Sequence, residues 1–249
     1  QPLPTSQPKM ITIVREDVKV GRNSEHARHE AGWPAAYEKA KSTDYYLAMT
    51  SLTGPNEAWY VVPWESHAAL AASMKRDDKD PVLSAELARL ALADAEYISS
   101  VRTIQAQARS DLSVGTFPDL GKARFFQITT YRVRPGHEAQ FEEAAKAYGA
   151  ARMRVAPQHG FRVYQIIAGM PTPTFLVFSS VEDYAQFDET TAAHQATLKA
   201  STAEEQAVRQ KFQTEGVVSS ETNRFKLDPV QSYVSRETRA QNPEFWSPK

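Results

Sequence analysis

Two glycine-marked turns recur in this chain at one spacing, and that restricts the fold more than any other feature of it. The segments MITIVREDVKVG and ARFFQITTYRVRPG each end in a glycine and run straight into a helical pattern. Their glycines, Gly21 and Gly136, stand 136 − 21 = 115 residues apart. Gly54, in SLTGPNEAWYVV, and Gly169, in IIAGMPTPTFLVF, repeat the interval, 169 − 54 = 115. Both lie between two β-rich runs, which is a hairpin signature. One offset shared by two landmarks marks an internal duplication, and the low identity between the halves makes it an old one.

Each half reads as βαββαβ. In the first, a strand near 10–21 leads to a helix over about 24–41, a hairpin with strands near 45–52 and 57–64, and a helical region over 66–98. Pro81 restarts that region after DDKDP, because proline is accepted at a first helical position and not in a helix interior. VRTIQAQAR closes the unit. The second half has a strand near 123–134, a helix near 137–155, a hairpin over 161–179, helices over 181–215 and a strand near 220–227. The expected organisation is a polar lead-in (1–9), repeat one (10–110), a Gly/Pro/Asp-containing linker (111–122), repeat two (123–234) and a polar C-terminal stretch (235–249). That last stretch, without clear period, reads as a tail or an arm.

Two helices on one face of a four-stranded antiparallel sheet leave its other face uncovered. FFQITTYRV and FRVYQIIAG are apolar at both alternating positions, so both faces of these strands call for cover. A second sheet, supplied by the other repeat, provides it. The expected fold class is therefore α+β: two tandem ferredoxin-like units whose antiparallel sheets pack together as an α+β barrel within one chain. YRVRPGHEAQFEEAAKAYGAARM, followed by a hairpin ending in LVFSSVEDYAQF, resembles the ferredoxin-like dimeric α+β barrel superfamily, which includes NIPSNAP-type and antibiotic-biosynthesis-monooxygenase-type proteins. The resemblance spans nearly the whole chain. It implies cofactor-free oxygenases, haem-binding enzymes or small isomerases as the range of activities, and it constrains fold more than function.

Composition removes several classes. With 29 Lys+Arg against 30 Asp+Glu and no clustered basic face, nucleic acid and anionic lipid are not the expected partners. No apolar run approaches the ~18–20 residues of a membrane span. The absence of cysteine rules out disulfides, thiolate nucleophiles and Cys-based metal sites. No phosphate-binding glycine loop and no G-x-S-x-G elbow occurs. The polar, Pro-rich start QPLPTSQPK reads as that of an exported chain, periplasmic or extracellular, with a cytoplasmic location as the other reading. A small-molecule ligand is expected. The chain would be a monomer, its second sheet being internal, or a homodimer.

The offset of 115 also locates the candidate chemistry. In the second repeat Phe141, Ala144, Ala145 and Tyr148 form a sheet-facing apolar stripe at i, i+3, i+4 and i+7. The matching positions in the first are His26, His29, Glu30 and Trp33. Polar groups on a buried stripe cost roughly 1–3 kcal/mol each unless partnered. One reading makes His26 and His29 a general base or ligands, with Glu30 orienting an imidazole or moving a proton. The other has Asn23-Ser24 capping a helix that rolls slightly, with both imidazoles wet at its rim; Pro34 could shift the phase. H-x-x-H-E is not the zinc-protease H-E-x-x-H, and a third ligand would have to come from a strand or another helix, so no metal is assigned. No cofactor can be named.

Trp33, Trp59 and Trp64 are the candidate ligand-binding aromatics. Trp59 and Trp64 point to opposite faces of one strand by its period of two, so one could wall a pocket against the His26 helix while the other packs between sheets. His194, in phase with Phe187 and Leu198, reads as a satisfied helix histidine. The leading function is a small-molecule enzyme working by proton abstraction or cofactor-light oxidation between the first helix and sheet of repeat one. A non-catalytic small-molecule-binding or interaction module is the alternative, and haem binding through a helix histidine is a third.

Overall fold

The computed structural model describes residues 3–247; residues 1–2 of the expected lead-in and 248–249 of the expected tail lie outside the described part. The eight strands are β1 (Met10–Val18), β2 (Tyr46–Ser51), β3 (Glu57–Trp64), β4 (Ile98–Ala108), β5 (Phe125–Val133), β6 (Arg162–Ala168), β7 (Thr174–Val181) and β8 (Val217–Tyr233). They form a closed barrel in the order β1-β3-β2-β8-β5-β7-β6-β4. Read round the closure, that order contains β4-β1-β3-β2 and then β8-β5-β7-β6, the same arrangement of first, third and second strands beside a last one. All four landmark glycines have positive φ, 81° at Gly21, 77° at Gly54, 88° at Gly136 and 87° at Gly169, a conformation that side chains with a Cβ rarely adopt.

Two compact units divide the chain. The first is essentially Pro8–Gln105 together with everything from Phe225 on, and the second is essentially Ala106–Arg224. The divisions fall inside β4 and β8, so the expected boundaries at 110 and 234, drawn in chain order, differ from these. The sequence predicts a last strand over 220–227, whereas β8 runs 17 residues. Its final part pairs with β2, through Ala48↔Asp228, Met49↔Leu227 and Thr50↔Lys226.

In the first unit, β1 and β3 pair antiparallel from Met10↔Trp64 to Asp17↔Glu57. The helix predicted over 24–41 is two helices, α1 (Asn23–Glu30) and α2 (Gly32–Lys39). Pro34 has no N–H to give the Glu30 carbonyl, so the ladder breaks there. The expected Asn23-Ser24 cap does not form: the N-cap position is Arg22, without a side-chain cap, and the Asn23 amide pairs instead with that of Asn56 at 2.9 Å. α3 (His67–Asp78) and α4 (Pro81–Asp94) follow. Asp80 caps α4 by accepting from Val82 and Leu83 N–H at 3.1 and 2.9 Å, with Pro81 behind it. Replacing Asp80 with Ala is expected to cost about 1 kcal/mol in a urea melt. A loss below ~0.3 kcal/mol would show that packing alone holds this helix start.

The C-terminal stretch is helical and docked. α8 (Arg236–Gln241) and α9 (Pro243–Trp246) are capped by Ser235 and Asn242, Arg236 and Arg239 both bind Glu38 on α2, and Trp246 is buried. Helices of six and four residues are too short to display a period.

In the second unit, β5 pairs with β7 and β7 with β6. α5 (Glu138–Val155), α6 (Phe187–Ala200) and α7 (Ala203–Lys211) pack beside them. Their core is Phe141, Val133, Val163, Phe175 and Phe212, with Leu112 from the expected linker buried among them. No helix among the described residues is long and apolar enough to cross a membrane.

Candidate functional site

The first unit holds a buried cluster of ionisable groups between its sheet and helices α1 and α4. Alternation on β1 puts Glu16 on the same face as Val14 and Val18, which pack with Tyr46, Tyr60 and the α2 residue Tyr37. One turn of α1 brings His26 and Glu30 onto that face, and His29 lies beside them. On α4, Leu83, Leu87, Leu90 and Asp94 recur at i, i+4, i+7 and i+11, so the apolar stripe ends in a carboxylate. Glu16, His26, Glu30 and Asp94 are all buried, His26 to 2% exposure. His29 is less buried, its side chain 11% exposed against 8% for that of Asp94.

The contacts are specific. His26 Nε2 lies 2.9 Å from Glu16 Oε2. His29 Nε2 is 3.1 Å from the Leu90 carbonyl and 2.7 Å from Asp94 Oδ1. Asp94 Oδ1 nonetheless has no hydrogen bond. The two facts agree if the His29 N–H points at Leu90 and Asp94 stands off its axis as a charge contact. That places a proton on Nε2, so that in the neutral ring Nδ1 carries the lone pair. Glu30 Oε1 is buried without any hydrogen-bond partner. The same five residues contain two groups able to hold a cation, Glu16–His26–Glu30 and His29–Glu30–Asp94, which share Glu30.

Burial, reinforced by the charge of Glu16 and then by Asp94, pushes the Glu30 carboxyl up to about 9. A hydrogen bond between Glu30 and Asp94 acts in the same direction, since two carboxyl groups can share one only if a proton is kept between them, whereas the Tyr60 hydroxyl acts against it. Tyr60 itself donates to Gln231 Oε1 at 2.9 Å, and Gln231 Nε2 donates to Asp228 at 2.8 Å. A neutral carboxyl among buried acceptors is the state that low dielectric favours.

Of the residues singled out from sequence, His26, His29 and Glu30 come together. Trp33 packs with Leu83 and Leu90 on the α4 side, its Nε1 buried without a partner. Trp59 is not brought to the cluster. It faces away from Tyr60, against Phe225 at 5.0 Å, with its indole N–H on Glu57 at 2.8 Å and Arg15 over its ring. Trp64 shares the Tyr60 face and binds Thr12 at 3.0 Å. It sits six residues, roughly 20 Å, along β3 from Ala58, the residue opposite Glu16. His194 accepts or donates to the Tyr148 hydroxyl at 2.7 Å. For a haem iron, His26 Nε2 is met by Glu16 and His29 Nε2 by the Leu90 carbonyl, which leaves Nδ1 of His29 as a ring nitrogen without a hydrogen bond.

Sequence reasoning passed over Glu16, Asp94 and Tyr60. Two of them carried a signal: Glu16 interrupts the V-x-E-x-V face of β1, and Asp94 extends a leucine stripe. Tyr60 carried none, since an aromatic residue in a strand reads as core.

No protein-family model matches the chain, and no curated protein matches it either. Solved structures do. A Fusobacterium nucleatum protein assigned as a monooxygenase superposes with a TM-score of 0.58 at 8% identity, over 88% of this chain and 91% of that one. A Lactobacillus acidophilus protein with the same assignment gives 0.54 at 9%, over 89% and 94%. An anthrone oxidase-like protein gives 0.52 at 12%, over 90% and 93%. What they share with this chain is the fold, an α+β barrel of antiparallel strands flanked by helices. At such identities the likeness is one of backbone, and the barrel's chemistry here has to be read from its own residues.

Proposed function

We propose that this barrel is a small-molecule enzyme that removes a proton from carbon, with His29 as the base and Asp94 as its orienting partner. The observation that carries the reading is the His29 geometry. One ring nitrogen hydrogen-bonds a backbone carbonyl with the Asp94 carboxylate close beside it, the other carries the lone pair of the neutral ring, and at 11% the side chain is more exposed than those of Asp94, Glu16 and His26. That is the positioning logic of a general base. Tyr97, whose ring lies 5.2 Å from that of His29, flanks the site. The C–H bond breaks, its electron pair stays on the substrate as an enolate or phenolate, and the proton passes to Nδ1. A carbon acid such as an aromatic ketone is the substrate class that a lone imidazole base beside the Tyr97 ring would suit.

Proton NMR in D2O tests this. The protein is expected to speed deuterium uptake at the acidic carbon of anthrone-like ketones and 1,3-diketones. His29→Gln and Asp94→Asn are each expected to lower that rate about a hundredfold. If both variants exchange as fast as the parent, His29 is not the base. If no compound exchanges faster than in buffer, the non-catalytic binding module takes the place of the enzyme.

A further inference from the structure

The inner side of the cluster has more in it than the base requires. Glu16, His26 and Glu30 each present one ligand atom, and the three atoms lie within 4.8 Å of one another. All three residues are buried, and they come from two elements, a strand and a helix turn. The 2.9 Å between His26 Nε2 and Glu16 Oε2 suits a hydrogen bond. It suits the edge of a coordination shell equally well, since two donors at ~2.1 Å from one cation and at right angles are about 3 Å apart. Glu30 adds an independent observation. Its Oε1 is buried with no partner at all, whereas buried acceptors are ordinarily bonded.

We propose that Glu16, His26 and Glu30 bind one divalent transition-metal ion of the Mn(II), Fe(II) or Zn(II) class. One imidazole with two carboxylates is too nitrogen-rich for a calcium cage and lacks the sulfur that copper(I) prefers. The second group, His29–Glu30–Asp94, is a weaker choice because its imidazole Nε2 is spent on Leu90 and its surface is less closed. Three protein ligands leave positions for water. Held by Glu16, His26 and Glu30, the ion would offset the negative charge that the two carboxylates bring into the interior.

The test uses the full chain stripped with chelator. Mn(II) binding is read from loss of the free-ion EPR signal, and Zn(II) binding by calorimetry. One equivalent is expected with micromolar or tighter Kd, and Tm is expected to rise about 5–10 °C at a hundredfold excess over Kd. Glu30→Gln and His26→Gln should each weaken binding about a hundredfold, while His194→Gln, on the second unit, should leave it unchanged. The metal-free melt of Glu30→Gln, an isosteric change, shows whether the variant is folded. Millimolar Kd in the parent overturns the site, as does binding of equal strength in the folded Glu30→Gln variant. Binding without catalysed exchange sinks the proposed reaction and keeps the site. Exchange without binding does the reverse.

Discussion

His26→Ala is expected to lower the stability of the metal-free protein by about 3–5 kcal/mol, because it strands a carboxylate rather than because it removes an imidazole. His26 and Glu16 are 2% and 5% exposed and meet at 2.9 Å. Without His26, Glu16 keeps the full cost of leaving water, with Glu30 as its neighbour. The sign of the rescue separates this cause from simple loss of packing. Glu16→Gln placed on top of His26→Ala removes the uncompensated charge, so the double variant should be more stable than His26→Ala alone. Urea melts at pH 7 measure the parent, the two single variants and the double variant. A His26→Ala loss below about 1 kcal/mol would mean that water reaches Glu16. A double variant as unstable as the sum of the singles would mean that the pair is not coupled.

Phe141→Ala, at the equivalent helix position of the second unit, is expected to cost a similar ~3–5 kcal/mol for the opposite reason, an apolar cavity. Phe141 is 2% exposed and stacks on Phe175 at a centroid distance of 4.0 Å. Phe212 meets it edge-on at 5.5 Å and Tyr131 lies at 5.7 Å. Removing the ring therefore loses burial and three aromatic contacts together. Phe141→Leu, which refills most of the space, should cost only about 1–1.5 kcal/mol. A denaturant melt of the two variants checks this, and equal losses would show that the stack matters more than the volume.

His26 and Phe141 show why one helix position carries the candidate site and its counterpart does not. The same geometry holds an aromatic core residue in one unit and a charge pair in the other. An apolar stripe stabilises its unit without help, whereas a polar stripe needs partners that the local sequence does not contain.

How much could be read in advance follows from that distinction. Elements were legible because hydrophobic period and turn chemistry are local. Pro81 starts α4 as predicted, the glycine-marked hairpins lie where the spacing puts them, and the α1 stripe displays His26, His29 and Glu30 in the expected register. The break after Glu30 was signalled by Pro34, and its exact form was not. The length of β8 was not legible, since its extension is set by pairing with β2, which lies far away in sequence.

The sequence by itself determined the α+β class, the strand and helix order, and the fact that one helix carries ionisable groups where its counterpart is apolar. Only the tertiary structure decided what those groups do. It brought Glu16 from β1 to His26, Asp94 from α4 to His29, and Tyr60 from β3 to Glu30, and it turned Trp59 to the opposite face of its strand. The physical reason is that period and capping act over a few residues, whereas a buried charge takes its state from whatever the fold places within hydrogen-bond reach.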